Sequence, residues 1–204
     1  MMYLFLFLNI IFPLQSELLL VDLYNQNEWI ENYKTNDGKI IYESNDNING
    51  KYIKVEKKVS YLKTDIFKKL KSISDYNQII SNKNVDTKLL IQDGDTLYAY
   101  QRINNSVPFI RDRQYIFKMY QINENRLDWY ILDRNHRLLK KFIDEDVHTL
   151  SYGAGSWYLD RGSLSNRIFV DDEVNLPIGF LHKVRVNNVI EIFNDVINSL
   201  NKEN

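Results

Sequence analysis

The chain contains no cysteine. Disulfides, thiolate catalysis, iron–sulfur clusters and cysteine-held zinc are therefore excluded. Histidine is nearly as scarce. His136, His148 and His182 lie far apart, with no metal-ligand spacing. Seven glycines and three prolines leave no flexible linker, and there is no repeat or low-complexity block. Charge of one sign is missing too: 26 Lys and Arg face 27 Asp and Glu, for a net charge of -1. Phosphate backbones require clustered excess Lys and Arg, so nucleic acid is not an expected partner. No Gly-x-Ser-x-Gly elbow and no phosphate loop occur. Gly153-Ala154-Gly155-Ser156-Trp157 lacks the third glycine of a dinucleotide fingerprint and falls inside a strand pattern. The acid clusters Asp144-Glu145-Asp146 and Asp171-Asp172-Glu173 lack the spacing of a calcium loop and read as solvated turns. From these absences the chain is expected to hold no catalytic residues, no metal and no cofactor, and not to be an enzyme.

What is present points to strands around a core. Hydrophobic residues make up 44% of the 204, and aromatics 13%, with 14 Tyr and 10 Phe. Such enrichment favours β structure, and the length suits one domain. Residues 3–14 form an apolar run broken only by Asn9 and Pro13. It is too short to span a bilayer, which needs about 20 residues, but it has the length of a secretory apolar region. Leu14-Gln15-Ser16 offers a cleavage site with a small residue at its end, although no Lys or Arg precedes the run. The expectation is a signal peptide at 1–16 and a domain at 17–204, exported to the periplasm or secreted. The alternative is an uncleaved apolar helix on a cytoplasmic protein.

Along the chain, 17–33 reads as a helix with Leu19, Leu20, Leu23, Trp29 and Ile30 inward. Asp37-Gly38 opens a strand at 39–44, and Asn49-Gly50 is a hairpin signal leading to a strand at 51–60. Thr64 is placed to cap a helix whose inward side is Ile66, Phe67, Leu70 and Ile73. Strands follow at 87–92 and 96–103 around Asp93-Gly94, then at 109–122, 126–133, 147–159 and 166–174. Short turns between them predict an antiparallel meander. Val186, Val189, Ile190, Phe193, Ile197 and Leu200 predict a final helix, with Asn187 or Asn188 as its cap. Its stripe needs a large apolar surface, and the sheet is the one available.

Four segments in this order resemble the START domains and their bacterial relatives. Trp29 with Asp37-Gly38-Lys39-Ile40-Ile41-Tyr42 is similar to the family's opening, and Val107-Pro108-Phe109-Ile110-Arg111-Asp112-Arg113 to its proline-then-Arg-Asp segment. Gly155-Ser156-Trp157-Tyr158-Leu159 is similar to its glycine–aromatic strand, and Leu176-Pro177-Ile178-Gly179-Phe180-Leu181 to the approach to its last helix. The resemblance spans roughly 20–200. It implies an α+β helix-grip fold, a curved antiparallel sheet wrapped around a long C-terminal helix. It also implies noncovalent binding, with transfer, of a lipid or other hydrophobic ligand by a monomer in transient contact with membranes. The alternatives it carries are a polyketide cyclase or aromatase using the same cavity, and a protein-binding chaperone-type module. The acidic run Asp171-Asp172-Glu173 with Val174-Asn175 departs from the family's glycine-containing loop, which gates the cavity there.

A curved sheet facing one helix leaves a hollow unless large side chains fill it. On 109–119 the more apolar parity is Phe109, Arg111, Arg113, Tyr115, Phe117 and Met119, which is assigned inward. The expected cavity residues are Arg111, Arg113, Tyr115, Phe117, Met119, Trp129, Trp157, Val189, Phe193 and Ile197. An inward guanidinium at Arg111 or Arg113 requires either a ligand head group or an acid such as Asp112 or Asp133.

Overall fold

Ile53 and Val55 are buried while Lys54 and Glu56 between them stay partly exposed. That alternation is what a strand with one dry face looks like. The computed structural model describes residues 15–44, 51–60, 63–104, 111–171 and 178–201. It runs α1 (Gln15–Asn25), β1 (Trp29–Lys34), β2 (Ile40–Ser44), β3 (Ile53–Lys58), α2 (Lys63–Lys71), a single 3-10 turn (Ile73–Asp75), α3 (Tyr76–Ile79), β4 (Val85–Asp93) and β5 (Thr96–Ile103). Then come β6 (Arg113–Asn123), β7 (Arg126–Ile131), α4 (Leu139–Phe142), β8 (His148–Thr149), β9 (Gly153–Asp160), β10 (Ser163–Val170) and α5 (Ile178–Asn201).

The strands form one curved sheet in the order β1-β2-β3-β10-β9-β7-β6-β5-β4. All pairings on this path are antiparallel, and short β8 adds to β6 in parallel. The turn between β4 and β5 places Gly94 at φ +57, as the Asp93-Gly94 signal predicts. The inner face packs Ile41, Val55, Leu97, Phe117 and Trp157 against Ile66, Phe67 and Leu70 of α2 and against Val186, Val189, Phe193 and Leu200 of α5. This is the expected α+β helix-grip arrangement of sheet and C-terminal helix.

Several expectations are corrected. The helix predicted over 17–33 ends at Asn25, and Trp29–Lys34 is an edge strand paired with β2. Asn25, Gln26 and Asn27 break the apolar stripe that a helix would need. The last helix starts at Ile178, so Asn187 and Asn188 are not caps but exposed residues within it. Helix α2 likewise opens at Lys63, ahead of Thr64. The strand predicted at 109–122 starts at Arg113, and the one at 147–159 divides into β8 and β9. Asn49-Gly50, Phe109 and Ile110 lie outside the described residues.

The outer face of the sheet is not wet throughout. Leu19, Leu20 and Leu23 of α1, with Leu132, Leu138 and Leu139, cover Ile116, Tyr130, Ala154 and Phe169 there. Both parities of β6 are therefore buried around Gln114 and Ile116. Gln114, assigned outward above, has no exposed surface. Its carboxamide accepts from Asp144 N at 2.9 Å and from the Tyr100 hydroxyl at 3.1 Å. It donates to Val147 O at 3.0 Å and Thr149 Oγ1 at 3.1 Å. One side chain thus fastens the 144–149 loop to the sheet. Gln114→Met is expected to cost about 2 kcal/mol, because buried loop groups lose their partners. A urea melt with an unchanged midpoint would show that the loop does not depend on it.

Candidate functional site

Between the inner face and α5 the side chains do not meet completely. A cavity of about 190 Å³ remains. Its wall is mostly apolar: Phe117 and Met119 on β6, Trp129 on β7, Trp157 on β9, Val189 and Ile192 on α5. Alternation along each strand sends these residues to one side, and sheet curvature holds α5 away from the middle strands. The rings lock one another. Phe117 meets Trp129 edge-on at 6.1 Å, and Trp157 stacks on Phe193 at 5.6 Å. Gly155 makes room for the Trp129 indole, since a Cβ there would lie 2.6 Å from it.

A further part of the wall comes from α2, α3 and the residue after it, through Leu70, Tyr76, Ile79 and Ile80. The Tyr76 hydroxyl donates to Leu70 O at 2.5 Å, and burial pushes its phenol pKa up. This side is latched to α5. Buried Asp195 accepts from Ser81 N at 2.8 Å and from Ser81 Oγ at 3.0 Å. At the other end of α5, His182 Nε2 lies 2.7 Å from Glu43 Oε1, and Lys51 Nζ lies 2.9 Å from Glu43 Oε2. Burial pushes the Glu43 carboxyl up, but the hydrogen bonds from Lys51 and His182 outweigh it and hold the group below its ordinary value.

The wall also carries polar side chains, Lys51, Lys69, Gln101, Asn166, Arg185 and Asn188, and one stands apart. Asn166 on β10 is buried, lines the cavity, and its carboxamide oxygen has no hydrogen-bond partner among the described residues. Gln101 and Tyr115, by contrast, hydrogen-bond to each other, and Gln101 also reaches Thr87 Oγ1 at 2.9 Å.

Of the ten predicted cavity residues, Tyr115, Phe117, Met119, Trp129, Trp157 and Val189 lie on the wall. Four do not. Phe193 and Ile197 are buried in the core around the cavity. Arg111 is exposed ahead of β6. Arg113 is buried where β6 begins, opposite Ile103 on β5 and His148 on β8, and is not among the lining residues although Ile103 is. Asp112, offered above as an internal partner for these arginines, pairs with Arg102 at 3.1 Å. Asn166 and Tyr76 were not foreseen. The signal for Asn166 was present, a polar residue between Leu164 and Ile168 on the dry parity of β10.

No protein-family model and no curated protein matches the sequence. Solved structures do. A STAR-related lipid transfer protein from Xanthomonas axonopodis superposes with a TM-score of 0.69 at 10% identity, covering 86% of this chain and 99% of that one. Human StAR-related lipid transfer protein 5 gives 0.65 at 10%, covering 92% and 93%. The chain therefore has the START-like helix-grip fold. The Zhui aromatase/cyclase from a Streptomyces also superposes, with a TM-score of 0.51 at 11% identity, covering 74% of this chain and 93% of that one. The expectation that the chain is not an enzyme is withdrawn on this finding. An enzyme carries the same architecture, so neither the fold nor a lack of sequence motifs excludes catalysis.

Proposed function

We propose that this domain binds a lipid-like ligand in the cavity between sheet and α5 and transfers it between membranes. The observation that carries the reading is the mostly apolar cavity of about 190 Å³. An apolar hollow of roughly 150 Å³ is enough to hold a benzene ring, so a ring or a short stretch of acyl chain fits without rearrangement. Pockets for larger ligands run to roughly 300–1,000 Å³. A long chain therefore enters only when part of the wall moves, and the side made by α2 and α3, latched through Ser81 and Asp195, is the separable one. Each methylene buried adds about 0.8 kcal/mol of affinity.

The unpartnered Asn166 carboxamide gives the ligand a second attribute. Its polar group is a hydroxyl, amide or protonated carboxyl that hydrogen-bonds to Asn166. Burying that carboxamide unpaired costs the empty protein about 1–3 kcal/mol, which the ligand returns on binding. Native mass spectrometry of purified protein is expected to find a co-purifying molecule with both an apolar body and such a group. Asn166→Leu is expected to raise the melting midpoint of the empty protein and weaken the ligand about tenfold. A variant that binds like the parent removes Asn166 from the site, and a protein that takes up no hydrophobic molecule at all sinks the proposal. We also propose that residues 1–16 direct export, in which case the mature protein begins at Glu17 by N-terminal sequencing.

A further inference from the structure

On the opposite face of the sheet from the ligand cavity, a second hollow of about 420 Å³ lies where the end of α1 meets β1, β7, β9 and β10. Trp29, Arg126, Ser156, Tyr158 and Arg167 line it, with Tyr24 of α1. Strand register gathers them: Arg167 stands opposite Ser156 on one side and Lys54 on the other, and Tyr158 stands opposite Arg126.

Two buried groups here have no hydrogen-bond partner among the described residues, Trp29 Nε1 and Arg167 Nε. Both are N–H donors, so each lacks the same thing, an oxygen lone pair. Buried donors are nearly always satisfied, and two orphans on the wall of one hollow call for a common acceptor.

The charges are out of balance in the same direction. Arg126 is matched by Asp128 through two hydrogen bonds, at 2.8 and 2.7 Å. Lys54 meets Glu56 at 3.2 Å. Arg167 has no carboxylate at ion-pair distance among the described residues, and its hydrogen bond there is a long one, 3.4 Å from Nη1 to Leu23 O. Its guanidinium lies 5.8 Å from the ring centre of Trp29 and 5.9 Å from that of Tyr158. Burial and the nearby Arg126 push its pKa down, so the empty site disfavours the cation it holds.

We propose that this hollow is an oxyanion-binding site in which Arg167 and the Trp29 indole N–H together receive a phosphate group. A phosphate supplies acceptor oxygens to both orphan donors and the missing negative charge to Arg167, whose planar fork suits it. Free phosphate and the head group of an anionic lipid share this chemistry.

The test uses the full chain at fixed ionic strength. It is titrated calorimetrically with inorganic phosphate and sedimented with phosphatidylcholine vesicles, with and without phosphatidic acid. Saturable binding is expected in at least one arm. Arg167→Met is expected to weaken it about tenfold or more, and Trp29→Phe, which keeps a ring and loses the N–H, about threefold to fivefold. Lys88→Gln, which removes an exposed cation from β4 at the far edge of the sheet, is expected to leave it unchanged. A response to free phosphate assigns a soluble anion. Sedimentation with phosphatidic acid alone assigns a head group. No saturable binding in either arm overturns the proposal, and so does parental affinity in Trp29→Phe, which tests the site even if Arg167→Met fails to fold.

Discussion

Phe193→Ala is expected to destabilise the protein by about 3–5 kcal/mol, the usual cost of deleting a fully buried aromatic side chain. Phe193 has no exposed surface, sits in the stripe of α5 and stacks on Trp157. Whole domains are stable by only about 5–15 kcal/mol, so this one side chain carries a large share. For a chain of this length the melting midpoint should fall by roughly 6–20 °C. Because Trp157 belongs to the cavity wall, the space vacated by the phenyl ring borders the cavity. A small apolar molecule such as benzene should therefore restore more stability to the variant than to the parent. A midpoint lowered by a degree or two would mean that α5 is not seated on the sheet as described.

Gly155→Val acts on the same wall from the other side. The nearest atoms to a Cβ at 155 belong to the Trp129 indole, at 2.6 and 2.7 Å, well inside contact distance. The indole has to leave its place against β9, and Trp129 stands on the edge of the cavity. Overpacking of this kind typically costs about 1–3 kcal/mol. The larger effect is on function: a cavity of about 190 Å³ cannot take in a displaced indole and a ligand as well. Uptake of a fluorescent fatty acid is expected to fall by more than tenfold. Retained uptake in a stably folded Gly155→Val protein would place the ligand elsewhere. The glycine pair at 153 and 155, which superficially suggests a nucleotide loop, thus exists to let Ile131 and Trp129 lie flat on the strand.

The helix stripe was the most legible part of the sequence. Val186, Val189, Phe193, Ile197 and Leu200 repeat at helical spacing, and all five are buried. The alternation of 53–56 was equally plain. Trp29–Lys34 was not, because an edge strand buries little: all but Trp29 in it is exposed, so no period exists to be read. Its pairing with β2 is fixed by backbone hydrogen bonds, which leave no mark on side-chain pattern. The inward assignment along 109–119 holds for Tyr115, Phe117 and Met119, which face the core and line the cavity. The opposite parity is buried as well, Ile116 in the outer cluster and Gln114 under the 144–149 loop. A shared parity is not a shared wall: among the described residues of that row, Arg111 and Arg113 do not line the cavity. The Asn166, Trp29 and Arg167 orphans were invisible for a different reason. A missing partner is a property of three-dimensional neighbours, and composition cannot register it.

The strand order also bears on how the molecule is made. Residues 53–58 of β3 take their second neighbour from β10, roughly a hundred residues further along, with Val55 opposite Asn166. On the ribosome, the first three strands are synthesised long before that neighbour exists, and β3 presents an open hydrogen-bonding edge throughout. Only when the hairpin of β9 and β10 emerges can the sheet join its two halves, and only then does α5 find both the surface it closes and the space it leaves open. Completion of the binding chamber thus waits on β9, β10 and α5, the elements of the fold that are made last.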